Sequence, residues 1–164
     1  MTQLYFAVLL VVVLLFFVIK SKVRRVVVDP AHQAVLNRLM TRMEDLVEYL
    51  RIVNDPLTDR LVTSFTKRRP KLVNTNERAG FSYDKGKVIG VCLGDMSSGD
   101  NGEEYENELF YVMLHEMAHI GTGKWGHTKE FWHLFELLQQ YAIDAELYTD
   151  VHSTSTVCGE RLVA

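Results

Sequence analysis

Apolar residues recur at three- and four-residue steps through "VVVDPAHQAVLNRLMTRMEDLVEYLRIV", where Ala31, Val35, Leu39, Met43, Leu46, Val47 and Leu50 fall on one stripe. Side chains so spaced share one face of a helix, so the stretch predicts an amphipathic α-helix. Asp29 is its expected N-cap and Pro30 its first residue. The same Asp-Pro signal at Asp55 and Pro56 opens a second, shorter helix with Leu57, Leu61, Val62 and Phe65, closing in the basic "KRRP".

Between residues 71 and 93 the pattern changes to "KLVNT", "GFSYD" and "KVIGVCL", rich in β-branched and aromatic residues and broken by the hairpin signal "DKGK". A small antiparallel sheet of two or three strands is predicted. The loop "GDMSSGDNGEE" then borders a cleft or moves freely. Its acids Asp95, Asp100, Glu103 and Glu104 lack the spacing of an EF-hand calcium loop, so they solvate the loop.

Leu109, Phe110, Val112, Met113, Leu114, Met117 and Ala118 are too many for a surface helix, so a nearly enclosed helix is predicted from Tyr105 to Ile120, ended by Gly121. A last helix runs from about Lys129 to Glu146, with Thr128 as N-cap and Phe131, Trp132, Phe135, Leu138, Tyr141, Ala142 and Ala145 inward. The tail from Tyr148 has no helical period and should lie extended.

At the other end of the chain, Leu4 to Ile19 contains no charged or strongly polar residue. A helix over that run rises about 24 Å against a bilayer core of about 30 Å, and Met1 to Gln3 with a snorkelling Lys20 can supply the rest. Lys20, Lys22, Arg24 and Arg25 follow the run and no small-x-small cleavage site is visible, which disfavours a signal peptide. A transmembrane anchor over residues 1–28, with residues 29–164 as a domain on the cytoplasmic side, is therefore expected from the positive-inside rule.

The chain has 164 residues and a formal net charge of −3, enough for one domain beyond the anchor. Setting aside the four basic residues of the flank takes −3 to −7. So acidic a domain is a poor sequence-independent ligand for nucleic acid. Cys92 and Cys158 would be thiols in a reducing compartment, with one disulfide as the alternative.

The chemistry is concentrated in "HEMAHIGTGKWGHTKEFW", residues 115–132. His115 and His119 are four apart on a helix, hence stacked on one face and able to share a metal, with Glu116 beside them. This is the H-E-x-x-H arrangement, in which two imidazoles hold zinc and the glutamate is general base. The helix then breaks and His127 returns just ahead of the next one, in place to be the third ligand. Three ligands leave one position open, as a catalytic zinc needs. Glu130, His133 and Glu136 are other conceivable third ligands, Cys92 or Cys158 a conceivable fourth, and His32 and His152 are isolated.

His115, Glu116, His119, Gly126, His127, Phe131 and Trp132 together resemble the core of the SprT-like and WLM families of small zinc metallopeptidases. The likeness extends more loosely over residues 80–146. It implies an α+β, minimal zincin-like domain with His115, His119 and His127 as zinc ligands and Glu116 as catalytic base. The chain also resembles small membrane-anchored proteins of large DNA viruses that carry this core and a late Cys-Gly pair, here Cys158 and Gly159. The expected function is hydrolysis of peptide bonds in a protein or peptide substrate by a zinc-activated water, at a membrane reached through residues 4–19. The alternative is a catalytically silent zinc-binding scaffold or adaptor in a membrane or virion. The domain carries no basic or zinc-ribbon module, so the DNA-linked substrates of nuclear relatives do not transfer.

Overall fold

Asp29 begins the first helix as its side chain predicts. Its Oδ1 accepts the Ala31 N–H at 2.9 Å ahead of Pro30, and α1 runs Pro30–Val53. The structure, a computed structural model, describes residues 29–76, 78–94, 102–124, 126–150 and 156–162. α1 stops where Asn54 turns left-handed (φ 56°) and returns its N–H to the Leu50 carbonyl.

The second helix starts later than its Asp-Pro signal. Asp55 Oδ1 accepts the Leu57 N–H at 2.9 Å, and the Thr58 hydroxyl donates to the Asp55 carbonyl at 2.9 Å. These bonds hold residues 55–58 in a turn, so α2 spans Asp59–Lys67 and Leu57 stays 53% exposed. Asp55 also accepts the Tyr141 hydroxyl at 2.7 Å, fastening this turn to the last helix.

Three strands follow, β1 (Lys71–Asn74), β2 (Gly80–Tyr83) and β3 (Val88–Val91), in the order β1-β3-β2. β2 and β3 form the expected antiparallel hairpin, turning through Asp84, Lys85 and Gly86 at φ 49°, 58° and 84°. β1, however, lies parallel to β3. β1 and β2 thus lie on opposite sides of β3, a placement that alternation within each strand does not reveal.

α3 spans Gly102–Thr122 and α4 spans Lys129–Asp144. Glu103 and Glu104, expected in a loop, form the first turn of α3, where acidic side chains suit the positive end of the helix. Residues 95–101 of that loop lie outside the described residues. Gly121 does not end α3. It is buried inside the helix because a Cβ there would come within 2.5 Å of Leu134 Cδ2 on α4. The terminator is Gly123, left-handed at φ 62°, with its N–H on the His119 carbonyl at 2.9 Å. Thr128 caps α4 as expected, its Oγ1 accepting the Phe131 N–H at 3.3 Å.

The core lies around α3, which packs on α1, α2, α4 and the sheet. Leu39, Met43, Leu46 and Leu50 of α1 meet Phe110, Met113 and Met117 of α3 and Phe131, Phe135 and Leu138 of α4. Each such side chain fully withdrawn from water contributes about 1.5–3 kcal/mol. Arg42 spans the same elements, donating to the Leu147 carbonyl at 3.0 Å with its guanidinium 4.3 Å above the Phe110 ring.

The fold class is α+β, with one correction. Among the described residues no helix is long and apolar enough to cross a membrane. The two longest, α1 and α3, carry charged side chains along their length, including Arg38, Arg42, Glu44 and Glu48 on α1 and Glu106, Glu108 and Glu116 on α3. The transmembrane anchor expected over residues 4–19 lies outside the described residues, and the single-pass membrane placement that rested on it is withdrawn.

The cysteines take the disulfide alternative. β4 (Thr156–Val157) and β5 (Glu160–Arg161) form a small hairpin with Cys158 at its tip, and Cys158 is joined to Cys92 in a disulfide, Cα atoms 6.1 Å apart. Neither sulfur is then available to a metal. The bridge closes a 66-residue separation, and cross-linking so long a loop raises stability by about 4 kcal/mol in the chain-entropy view. Cys158→Ser should accordingly lower unfolding free energy by about 2–4 kcal/mol in non-reducing urea titrations, and a reductant should lower the wild type equally. A wild type indifferent to reductant would show that the bridge contributes nothing.

Candidate metal centre

The last two turns of α3 carry His115 and His119 one above the other, and the break at Gly123 lets the chain bring His127 back to meet them. Ring centroids are 5.0 Å apart for His115 and His119, 4.8 Å for His115 and His127, and 5.1 Å for His119 and His127. The Nε2 atoms of His115 and His127 approach to 3.0 Å. One ring nitrogen from each histidine lies within 4.8 Å of the others, close enough to bind a single metal ion. No other histidine, cysteine or acid joins the group among the described residues.

Phe131 is the floor beneath all three rings. Its centroid lies 4.8, 4.4 and 4.7 Å from those of His115, His119 and His127, and its side chain is fully buried. Thr128 fixes its position by capping the helix on which it stands. Trp132, expected inward, is 39% exposed and lies 5.4 Å from the His127 ring at the rim.

Burial makes charge costly here. The His115 imidazolium is disfavoured chiefly by burial and then by His119 and His127, which push its pKa down to about 4. His119 is lowered as well, by burial and then by His127. Both rings are thereby kept in the neutral form that ligates metal. Three imidazole nitrogens make a donor set that fits a borderline divalent cation.

Glu116 flanks the two histidines on α3 and meets β2 of the sheet. It is 5% exposed, and burial pushes its pKa up to about 7 against the opposing hydrogen bond from Ser82 and the positive charge of Arg78. Gly80 makes room for it, since a Cβ there would stand 2.4 Å from Val112 Cγ1 and 3.3 Å from Glu116 Oε1.

Glu116 and the three histidines line one cleft of about 630 Å³ whose opposite wall is β2, with Gly80, Phe81 and Ser82. Among the described residues β2 pairs with β3 alone, so it is an edge strand.

His115, Glu116, His119 and His127 are thus brought together. Glu130, His133 and Glu136 are exposed and outside the group, Glu130 pairing with Lys124 at 3.3 Å. His32 lies instead 3.4 Å from Asn74 Nδ2, and His152 is outside the described residues. Sequence reasoning missed Ser82 and Arg78. A serine in a strand and an arginine in a short link carry no signal until the fold sets them beside Glu116.

No family model matches the chain, and no solved structure matches it. Two viral proteins are similar to it. Uncharacterized protein R325 of Acanthamoeba polyphaga mimivirus is 26% identical across 86% of this chain and 83% of its own length. Uncharacterized protein 136R of Invertebrate iridescent virus 6 is 39% identical over 70 residues, 43% of this chain, and the chain spans 39% of that protein.

Proposed function

We propose that the chain is a zinc-dependent peptidase. The observation that carries this reading is the convergence of three imidazoles at a cleft that also holds one buried carboxylate, Glu116. A metal that only fastened two helices together would have no use for that carboxylate. Its burial without a chemical role would be a net cost.

His115, His119 and His127 would hold the zinc, which would supply Lewis acidity to the site. The chain's own groups do the rest. Glu116 takes the water's proton at a carboxylate oxygen and returns it to the leaving amine nitrogen. Ser82 holds that carboxylate in place through its hydrogen bond. β2 offers its free edge to an extended peptide, which can pair with it as an added strand.

The test is metal analysis of the purified full chain together with cleavage of an unfolded protein such as casein. One zinc per chain, with cleavage lost to a chelator and restored by zinc, is the expected result. Stoichiometric zinc without turnover of any protein or peptide would leave a structural metal centre and overturn the proposal.

A further inference from the structure

The charges around the cleft oppose those of the chain. The sequence is negative overall, at −3, and the lobe formed by the start of α3 and the end of α4 gathers Glu103, Glu104, Glu108, Glu146 and Asp150 around one arginine. The metal cleft instead carries Arg60, Arg78, Lys85 and Lys124, with Glu160 as its one acid besides Glu116.

These four cations come from four separate pieces of the fold: α2, the β1–β2 link, the β2–β3 turn, and the loop after α3. Nothing local requires them to meet. Lys124 is partly neutralised by Glu130 at 3.3 Å, but Arg60, Arg78 and Lys85 form no ion pair among the described residues. All three are exposed. The Arg60 guanidinium lies over Gly123, which brings it to the loop that returns His127.

Unpaired cations lining a concave surface focus a positive potential into it and raise the local concentration of anionic groups. We propose that the cleft selects acidic peptide segments, with aspartate or glutamate on either side of the bond to be cut. This rests on the peptidase reading and names its substrate class. The cations flank an edge strand whose unpaired N–H and C=O groups match a peptide backbone, which favours an acidic peptide over a nucleic acid. The cleft residues Phe81 and Ile120 offer apolar contact between the charges.

The experiment uses the zinc-loaded full chain carrying Glu116→Gln for binding, and the wild type for cleavage. Fluorescein-labelled ten-residue peptides share one apolar centre and differ in flanks of Asp/Glu, Asn/Gln or Lys. The acidic peptide should bind about tenfold tighter than the amide peptide at low salt, as expected for a few exposed charge pairs, and the gap should close as salt rises. Adding Arg78→Gln and Lys85→Gln should remove most of the preference while zinc content and helical circular dichroism stay unchanged.

Equal affinity for acidic and amide peptides overturns the proposal even if the wild type cleaves both, which leaves the peptidase reading standing. A preference that survives the two glutamine substitutions overturns the assignment to these cations. A charge-matched single-stranded oligonucleotide that binds more tightly than the acidic peptide reassigns the cleft to nucleic acid. Acidic preference with no cleavage of any peptide sinks the peptidase reading alone.

Discussion

Glu116→Gln is expected to slow peptide cleavage by about 10²–10⁴-fold while leaving zinc content unchanged, the size of effect typical of a lost general base. Glutamine has nearly the same volume and keeps a carbonyl oxygen that can accept from Ser82, so the packing against Gly80 and Val112 is retained. What is lost is the ability to hold a proton and pass it on. Stability should hold or rise slightly, because an amide is easier to bury than a carboxylate. Cleavage of casein within tenfold of wild type, with zinc bound, would remove Glu116 from the chemistry. Loss of zinc would instead show that the carboxylate maintains the centre.

The second large effect is expected at Phe131. Truncation of a fully buried phenylalanine typically costs about 3–5 kcal/mol, through lost transfer energy and an unfilled cavity. At this position the cavity would open directly beneath three imidazoles whose centroids lie 4.4–4.8 Å from the ring. Phe131→Ala should therefore lower the melting temperature by about 10 °C or more and weaken zinc binding together. Phe131→Leu, which refills most of the volume, should recover most of both. A Phe131→Ala protein that melts like wild type and holds zinc as tightly would show that the floor plays no part in placing the ligands.

Much of the site was legible because it is local. His115, Glu116 and His119 occupy consecutive turns of one helix, and a short loop brings His127 back, so spacing made His127 the leading candidate for the third place ahead of Glu130, His133 and Glu136. The caps at Asp29 and Thr128 were equally readable, since each is a bond between residues two or three apart. What spacing could not carry was the relation between distant segments. Gly121 reads as a helix terminator, yet it is required inside the helix by Leu134 on another element. Asp55-Pro56 reads as a helix start, yet its side chain closes a turn and bonds Tyr141. The disulfide and the parallel placement of β1 depend on pairings across the fold, and no period in the chain encodes them. Nor could the basic lining be seen, because its four members are scattered through an acidic sequence.

The position of β3 between its neighbours sets an order of assembly. β2 and β3 are joined by a four-residue turn, so their hairpin closes at little entropic cost and can zip on a microsecond scale. β1 must span a longer loop to reach the far edge of that hairpin, and its pairing is non-local. The wall that faces the histidines should therefore form early as a ribbon that packs on α3 directly, and docking of β1, which joins the sheet to α1, should be the slower step.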